Sequence, residues 1–145
     1  MKIFINAFIK RIFFKGASNG IDLELTKILL KDGWIVFGIG RDKINLENTR
    51  TLFPQFIPIQ ADFTRNANIE RAANIIKNSG LPLHLSVQNA GMKSPPRPLI
   101  QYTCESIDEV FFVNLLAPMK LTALLAQQMP NPESSMSHQE QPILN

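Results

Sequence analysis

The sequence holds a single cysteine, Cys104, so no internal disulfide can staple it. A reducing, cytoplasmic setting is the expected one. Its two histidines fall in no spacing of Cys, His, Asp and Glu that would hold a metal, and no metal site is expected. No apolar run approaches the ~20 residues of a membrane helix, so no membrane association is expected. The apolar start "MKIFINAFI" meets Lys10 and Arg11 too early for a secretory leader, and reads as an approach to the first buried strand. Charge of one sign is also scarce. Net charge is +3, the basic residues are scattered, and Lys10-Arg11 is the only adjacent pair, which gives no stripe for nucleic acid. There is no internal repeat.

What is there is an alternation. The 145 residues, 45% hydrophobic and 19% charged, suffice for one globular domain with one core. "RIFF" (11–14), "WIVFGIG" (34–40), "FIPIQAD" (56–62) and "LHLSVQNAG" (83–91) read as strands, with Pro58 marking the third as an edge or irregular strand. Helices are expected between them. The first should bury Leu25, Ile28 and Leu29 and stop at Gly33; the second should be capped by Asp42; the third should bury Ile69, Ala72, Ala73 and Ile76 and stop at Gly80. Apolar strands that do not alternate, each followed by a helix, predict a parallel sheet covered on both faces with right-handed crossovers. A proline-rich loop leads into a long helix capped by Thr103, with Glu105 in its first turn. Pro118 removes a helical N–H and frees the carbonyl of Asn114, so a kink is expected there. Residues 1–130 are read as the domain and 131–145 as a disordered tail.

The stretch "KGASNGID" raises the functional question. Gly16 and Gly20 sit between a strand and a helix, where backbone N–H groups and the helix dipole can receive a phosphate. An ordinary strand-to-helix turn would look the same. Arg41, just after the second strand, stands near where an adenosine ribose would lie in a dinucleotide fold; a basic residue there suits a 2′-phosphate and favours NADP(H) over NAD(H). A solvated arginine at a helix start is the alternative. Asp62 ends the third strand and reads equally as a helix N-cap, while "QNAG" ends the fourth. His84 reads as a core or strand-end residue, and Cys104 has no general base near it in sequence.

Taken together and in order, these pieces resemble the short-chain dehydrogenase/reductase family over about residues 9–130. "GASNGI" is similar to its cofactor turn, Asp62 to its adenine-contacting aspartate, and "NAG" (89–91) to its structural turn. "PLIQYTCESIDEVFFVNLLAPMKLTALLAQQMP" resembles its long helix, with Asn114 at the place of the active-site asparagine. The resemblance implies an α/β, Rossmann-like sheet of strand order 3-2-1-4, truncated, binding NADP. The implied cofactor contacts are Gly16, Ser18, Asn19, Gly20, Ile21, Arg41, Asp62, Asn89, Ala90 and Gly91, and Asn114 is the one matching member of the catalytic set.

The departures are as informative. Lys15 replaces a threonine, Gln88 the first Asn of "NNAG", and Asp22 the third glycine, which brings bulk and a carboxylate near where a pyrophosphate would lie. Weak cofactor binding is therefore expected. The sole tyrosine, Tyr102, has Ser106 and not lysine four residues on, so the phenol–ammonium pair of the family's proton transfer is absent. The reading is an NAD(P)-dependent oxidoreductase by family, inactive as this chain. The alternatives are a subunit completed by another chain, and a cofactor-binding sensor or interaction module. Self-association is expected through an open fourth strand or a long helix that partly exposes Phe111, Phe112, Leu115 and Leu121.

Overall fold

Four parallel strands lie in the order β3-β2-β1-β4. The computed structural model describes residues 11–15, 20–89 and 91–129, and only the backbone of 11–15; the tail expected at 131–145 lies outside them. The strands are β1 (Arg11–Lys15), β2 (Ile35–Gly40), β3 (Phe56–Gln60) and β4 (Leu85–Gln88). Between them run α1 (Gly20–Lys31), α2 (Lys43–Leu52) and α3 (Asn66–Asn78). The continuous apolar character of β2 has a direct cause, because both of its faces are covered. Val36 packs with Leu30, Leu46 and Phe56 on the α1–α2 side, while its neighbour Phe37 packs with Ile69, Ala72 and Ile76 on the α3 side. Pro58, which has no N–H to offer a further strand, sits on the edge strand β3 opposite Gly38.

The helix signals behave as their chemistry predicts, with one exception. Asp42 caps α2 by accepting from the Asn45 N–H at 3.1 Å. Gly33 and Gly80 follow α1 and α3 with φ of +81° and +66°, the left-handed conformation that glycine adopts at least cost. Ile69, Ala72, Ala73 and Ile76 are buried as read. The exception is α1. Its inward residues are Asp22, Thr26 and Leu30, while Ile28 is 56% exposed and Leu25 is exposed too. The apolar spacing pointed to a face turned about a quarter-turn away from the one that packs; Leu29 alone of the predicted trio lies partly against the core.

The long helix runs from Cys104 to Gln128. It comprises α4 (Cys104–Phe111), a π-turn (Phe112–Leu116), α5 (Ala117–Leu125) and a final short 3₁₀ turn (Ala126–Gln128). Thr103 and Ser106 form a reciprocal capping box, the Ser106 N–H donating to Thr103 Oγ1 at 3.2 Å and the Thr103 N–H to Ser106 Oγ at 3.1 Å. Glu105, in the first turn, has its carboxyl held below the usual range by its own backbone N–H and then by the Thr103 hydroxyl. At Pro118 the expected break takes the form of the π-turn: the Ala117 N–H reaches back five residues to Phe112 O, so the ladder is already re-phased where proline removes a donor.

Two expectations about this helix are corrected. By length and composition alone it is long and apolar enough to cross a membrane, although Val113, Ala117, Leu121 and Leu125 pack into the core. Leu121 is fully buried rather than partly exposed, while Phe111 and Leu115 are exposed by half or more.

The α1 geometry gives a direct test. Leu30→Ala should cost about 2–5 kcal/mol, and Ile28→Ala no more than about 0.5 kcal/mol, both read by urea denaturation. The reverse ranking would restore the face read from sequence.

Candidate functional site

Each βα turn of a parallel sheet emerges at the same edge, so the predicted site residues converge there without being near in sequence. Gly20 opens α1 after β1, Arg41 follows β2, Asp62 follows β3, and Asn89 and Gly91 follow β4. Gly16, Ser18, Asn19 and Ala90 lie outside the described residues. β1 pairs with β2 on one side and β4 on the other. Chain order therefore reverses between β1 and β4, the place where open α/β sheets bind ligands.

One side of this edge is built by β2 and β3. The Ala61 N–H donates to Gly40 O at 2.9 Å, and Gln60 Nε2 donates to Arg41 O at 3.2 Å, fixing the backbone from which Arg41 projects. Gln60 O in turn accepts from Arg71 on α3. Arg41 itself is exposed, and its guanidinium makes no hydrogen bond or ion pair among the described residues. Asp62 is not the N-cap of α3, a position held by Arg65. It forms an Asx turn instead, Oδ1 accepting from the Thr64 N–H at 3.1 Å while its carbonyl accepts from Asn68 Nδ2 at 3.0 Å.

The turn after β4 is held from both sides of the sheet. Asn114, in the π-turn, takes hold of the Met92 backbone twice: Oδ1 accepts from the Met92 N–H at 2.6 Å, and Nδ2 donates to Met92 O at 2.9 Å. A Cβ on Gly91 would stand 2.9 Å from that same Oδ1, so any other residue here would push aside a side chain 23 residues away. On the other side, Asn89 Nδ2 donates to Asp22 Oδ1 at 2.7 Å. Gln88 reaches the long helix, its Nε2 donating to Thr122 Oγ1 at 2.6 Å and to Pro118 O at 3.2 Å.

Sequence reading missed two of these parts. Asp22 and Gln88 stood out only as departures, Asp22 expected to crowd a pyrophosphate and both to weaken cofactor binding. In the fold each spans two elements. Partners 67 and 34 residues away leave no local periodicity by which to find them. What remains open fits an anionic nucleotide. A Cβ on Gly20 would meet nothing within 4 Å, Ile21 is 83% exposed, and Arg41 has no competing anion among the described residues. His84 is an exposed residue just before β4, and Cys104 is exposed at the start of α4; among the described residues no cluster of His, Cys, Asp and Glu could hold a metal.

Comparison with known proteins agrees with this geometry. Residues 10–136 match the family described as short chain dehydrogenase. L-xylulose reductase of Caenorhabditis elegans is 35% identical over 122 residues, covering 81% of this chain and 47% of that protein. The NADPH-bound carbonyl reductase from chicken fatty liver superposes with a TM-score of 0.74 at 24% identity, covering 83% of this chain and 48% of that one. The 3-ketoacyl-(acyl-carrier-protein) reductase of Brucella melitensis, complexed with NADH, gives 0.75 at 23% identity, covering 90% and 53%. The chain thus spans about half the length of the proteins it matches.

The clamp on Met92 makes two substitutions interdependent. Asn114→Ala should cost about 0.5–1.5 kcal/mol, since both bonds to Met92 are exposed and water can take their place. Gly91→Ala should cost a similar amount, about 0.5–1.5 kcal/mol, by forcing Asn114 off Met92. Since both disrupt one contact, the double variant should lose clearly less than the sum, measured by denaturant titration of all four proteins. Strict additivity would separate Gly91 from the clamp.

Proposed function

The chain belongs to the short-chain dehydrogenase family, and we propose that its carboxyl-edge crevice binds a nicotinamide dinucleotide with preference for the 2′-phosphorylated form. The observation that carries the reading is Arg41: exposed, without an acidic partner among the described residues, on a backbone fixed by Gln60, at the end of the strand next to β1. Arg41 would hold the 2′-phosphate and Asp62 the adenine. The first N–H groups of α1 would receive the pyrophosphate, and Asn89 and Gly91 would shape the nicotinamide side. The dinucleotide, when bound, supplies or accepts hydride at a carbonyl or alcohol carbon. Relatives with NADPH and with NADH are both found, so the preference rests on this chain's own residues.

These 145 residues hold no tyrosine four residues before a lysine. Asn114, the one match to the family's catalytic set, is occupied in holding Met92. We therefore propose binding without turnover for this chain by itself. Its open surface supports association: β4 has β1 as its only strand partner among the described residues, Leu85 is 40% exposed, and Phe111, Leu115 and Met119 line an exposed stripe of the long helix.

Calorimetric titration should find NADPH bound more tightly than NADH, and Arg41→Ala should narrow the gap by a charge-assisted hydrogen bond, about 1.5–3 kcal/mol. Equal or reversed affinities in the native chain would remove Arg41 from the site. Oxidation of NADPH with carbonyl substrates should stay at the buffer blank. Sedimentation at micromolar concentration should show oligomers, and a monomer there would contradict the open-surface reading.

A further inference from the structure

We propose that Asp22 is a positioning residue, bolting the turn after β4 to the first turn of α1 and so setting the width of the cofactor crevice. The inference rests on the dinucleotide reading above for its functional side, and on geometry alone for the bolt. Asp22 is 8% exposed, one of three buried polar or charged residues among those described. A buried carboxylate is costly unless it is hydrogen-bonded. Here the bond is present and short, Asn89 Nδ2 donating to Oδ1 at 2.7 Å. The third residue of α1 is also a favourable place for a negative charge, near the positive end of the helix dipole.

The position of this bond gives it its consequence. It joins segments 67 residues apart across the boundary between β1 and β4, where chain order reverses. Asn114 holds the same turn three residues on, at Met92. α1 belongs to the layer that packs Leu30 against Val36, and α5 to the opposite layer with Phe37 and Leu121. The turn is thus tied to both layers, one tie at each end. With one N–H of Asn89 committed to Asp22, its side-chain oxygen and second N–H have no other partner among the described residues. A residue that from sequence alone reads as an obstacle to the pyrophosphate is, in the fold, directed at an amide.

The test uses the 145-residue chain with Asp22→Ala, Asp22→Asn and Asn89→Ala. Asparagine at 22 keeps the size and an acceptor oxygen but not the charge. Asn89→Ala deletes the same bond from an exposed position, should Asp22→Ala fail to fold. Amide exchange at residues 89–92 should quicken by about tenfold or more in both alanine variants and return to within about threefold of native in Asp22→Asn, with α3 amides unchanged throughout. The NADPH dissociation constant should follow the same order, about tenfold weaker in both alanine variants. Unchanged exchange in the alanine variants, tighter NADPH binding in Asp22→Ala, or no rescue by asparagine would each overturn the proposal. If the native chain binds no NADPH, the dinucleotide reading fails, and the exchange measurement alone upholds or overturns the bolt.

Discussion

The pairing of β1 with two neighbours is the constraint from which the rest of this architecture follows. β1 bonds in parallel to β2, Arg11 opposite Ile35, and to β4, Ile12 opposite Leu85. Parallel strands must each be followed by a crossover, so all four strands end at one edge and all their turns gather there. Because β2 and β3 lie on one side of β1 and β4 on the other, chain order reverses between β1 and β4, the position at which open α/β sheets bind their ligands. Gly20, Arg41, Asp62 and Asn89 are brought to this edge by topology before any side chain makes a contact.

The second level is the fixing of those turns, and here polar side chains act at long range. Asn89 is tied to α1 by Asp22, Met92 to the long helix by Asn114, and β4 to α5 by Gln88. The π-turn belongs to the same arrangement. Pro118 leaves one carbonyl of the long helix without a backbone donor, and the five-residue bond from Ala117 to Phe112 absorbs the change of phase in the turn that contains Asn114. The Pro118 carbonyl in turn accepts a hydrogen bond from Gln88. A proline read from sequence as a local fault is, in the fold, next to the residues that hold the turn after β4.

Much of this was legible in the sequence where the cause is local. Asp42 and Thr103 announce their helices because a cap bonds within three residues, and Gly33 and Gly80 announce helix ends because few residues other than glycine adopt positive φ at low cost. The unbroken apolar run of β2 announces a central strand. The inward face of α1 was not legible. Its buried positions are Asp22, Thr26 and Leu30, two of them polar, while the apolar Ile21 and Ile28 face solvent. Apolar periodicity misleads wherever a helix packs through polar contacts, and Asp22 packs through a partner on β4's far turn. The candidate site was legible as an ordered set of motifs, but the roles of Asp22, Gln88 and Asn114 as ties required the coordinates of segments far apart in the chain.

On the proposed function, the four strand ends form one cradle for a dinucleotide. The most direct test is a titration of the isotopically labelled chain with NADPH, following backbone amide shifts. Saturable changes are expected at Gly20–Asp22, Arg41–Asp42, Ala61–Asp62 and Asn89–Met92, with the opposite edge of the sheet undisturbed. Shifts confined to one of these turns, shifts centred between α3 and α5, or none at millimolar ligand would contradict it.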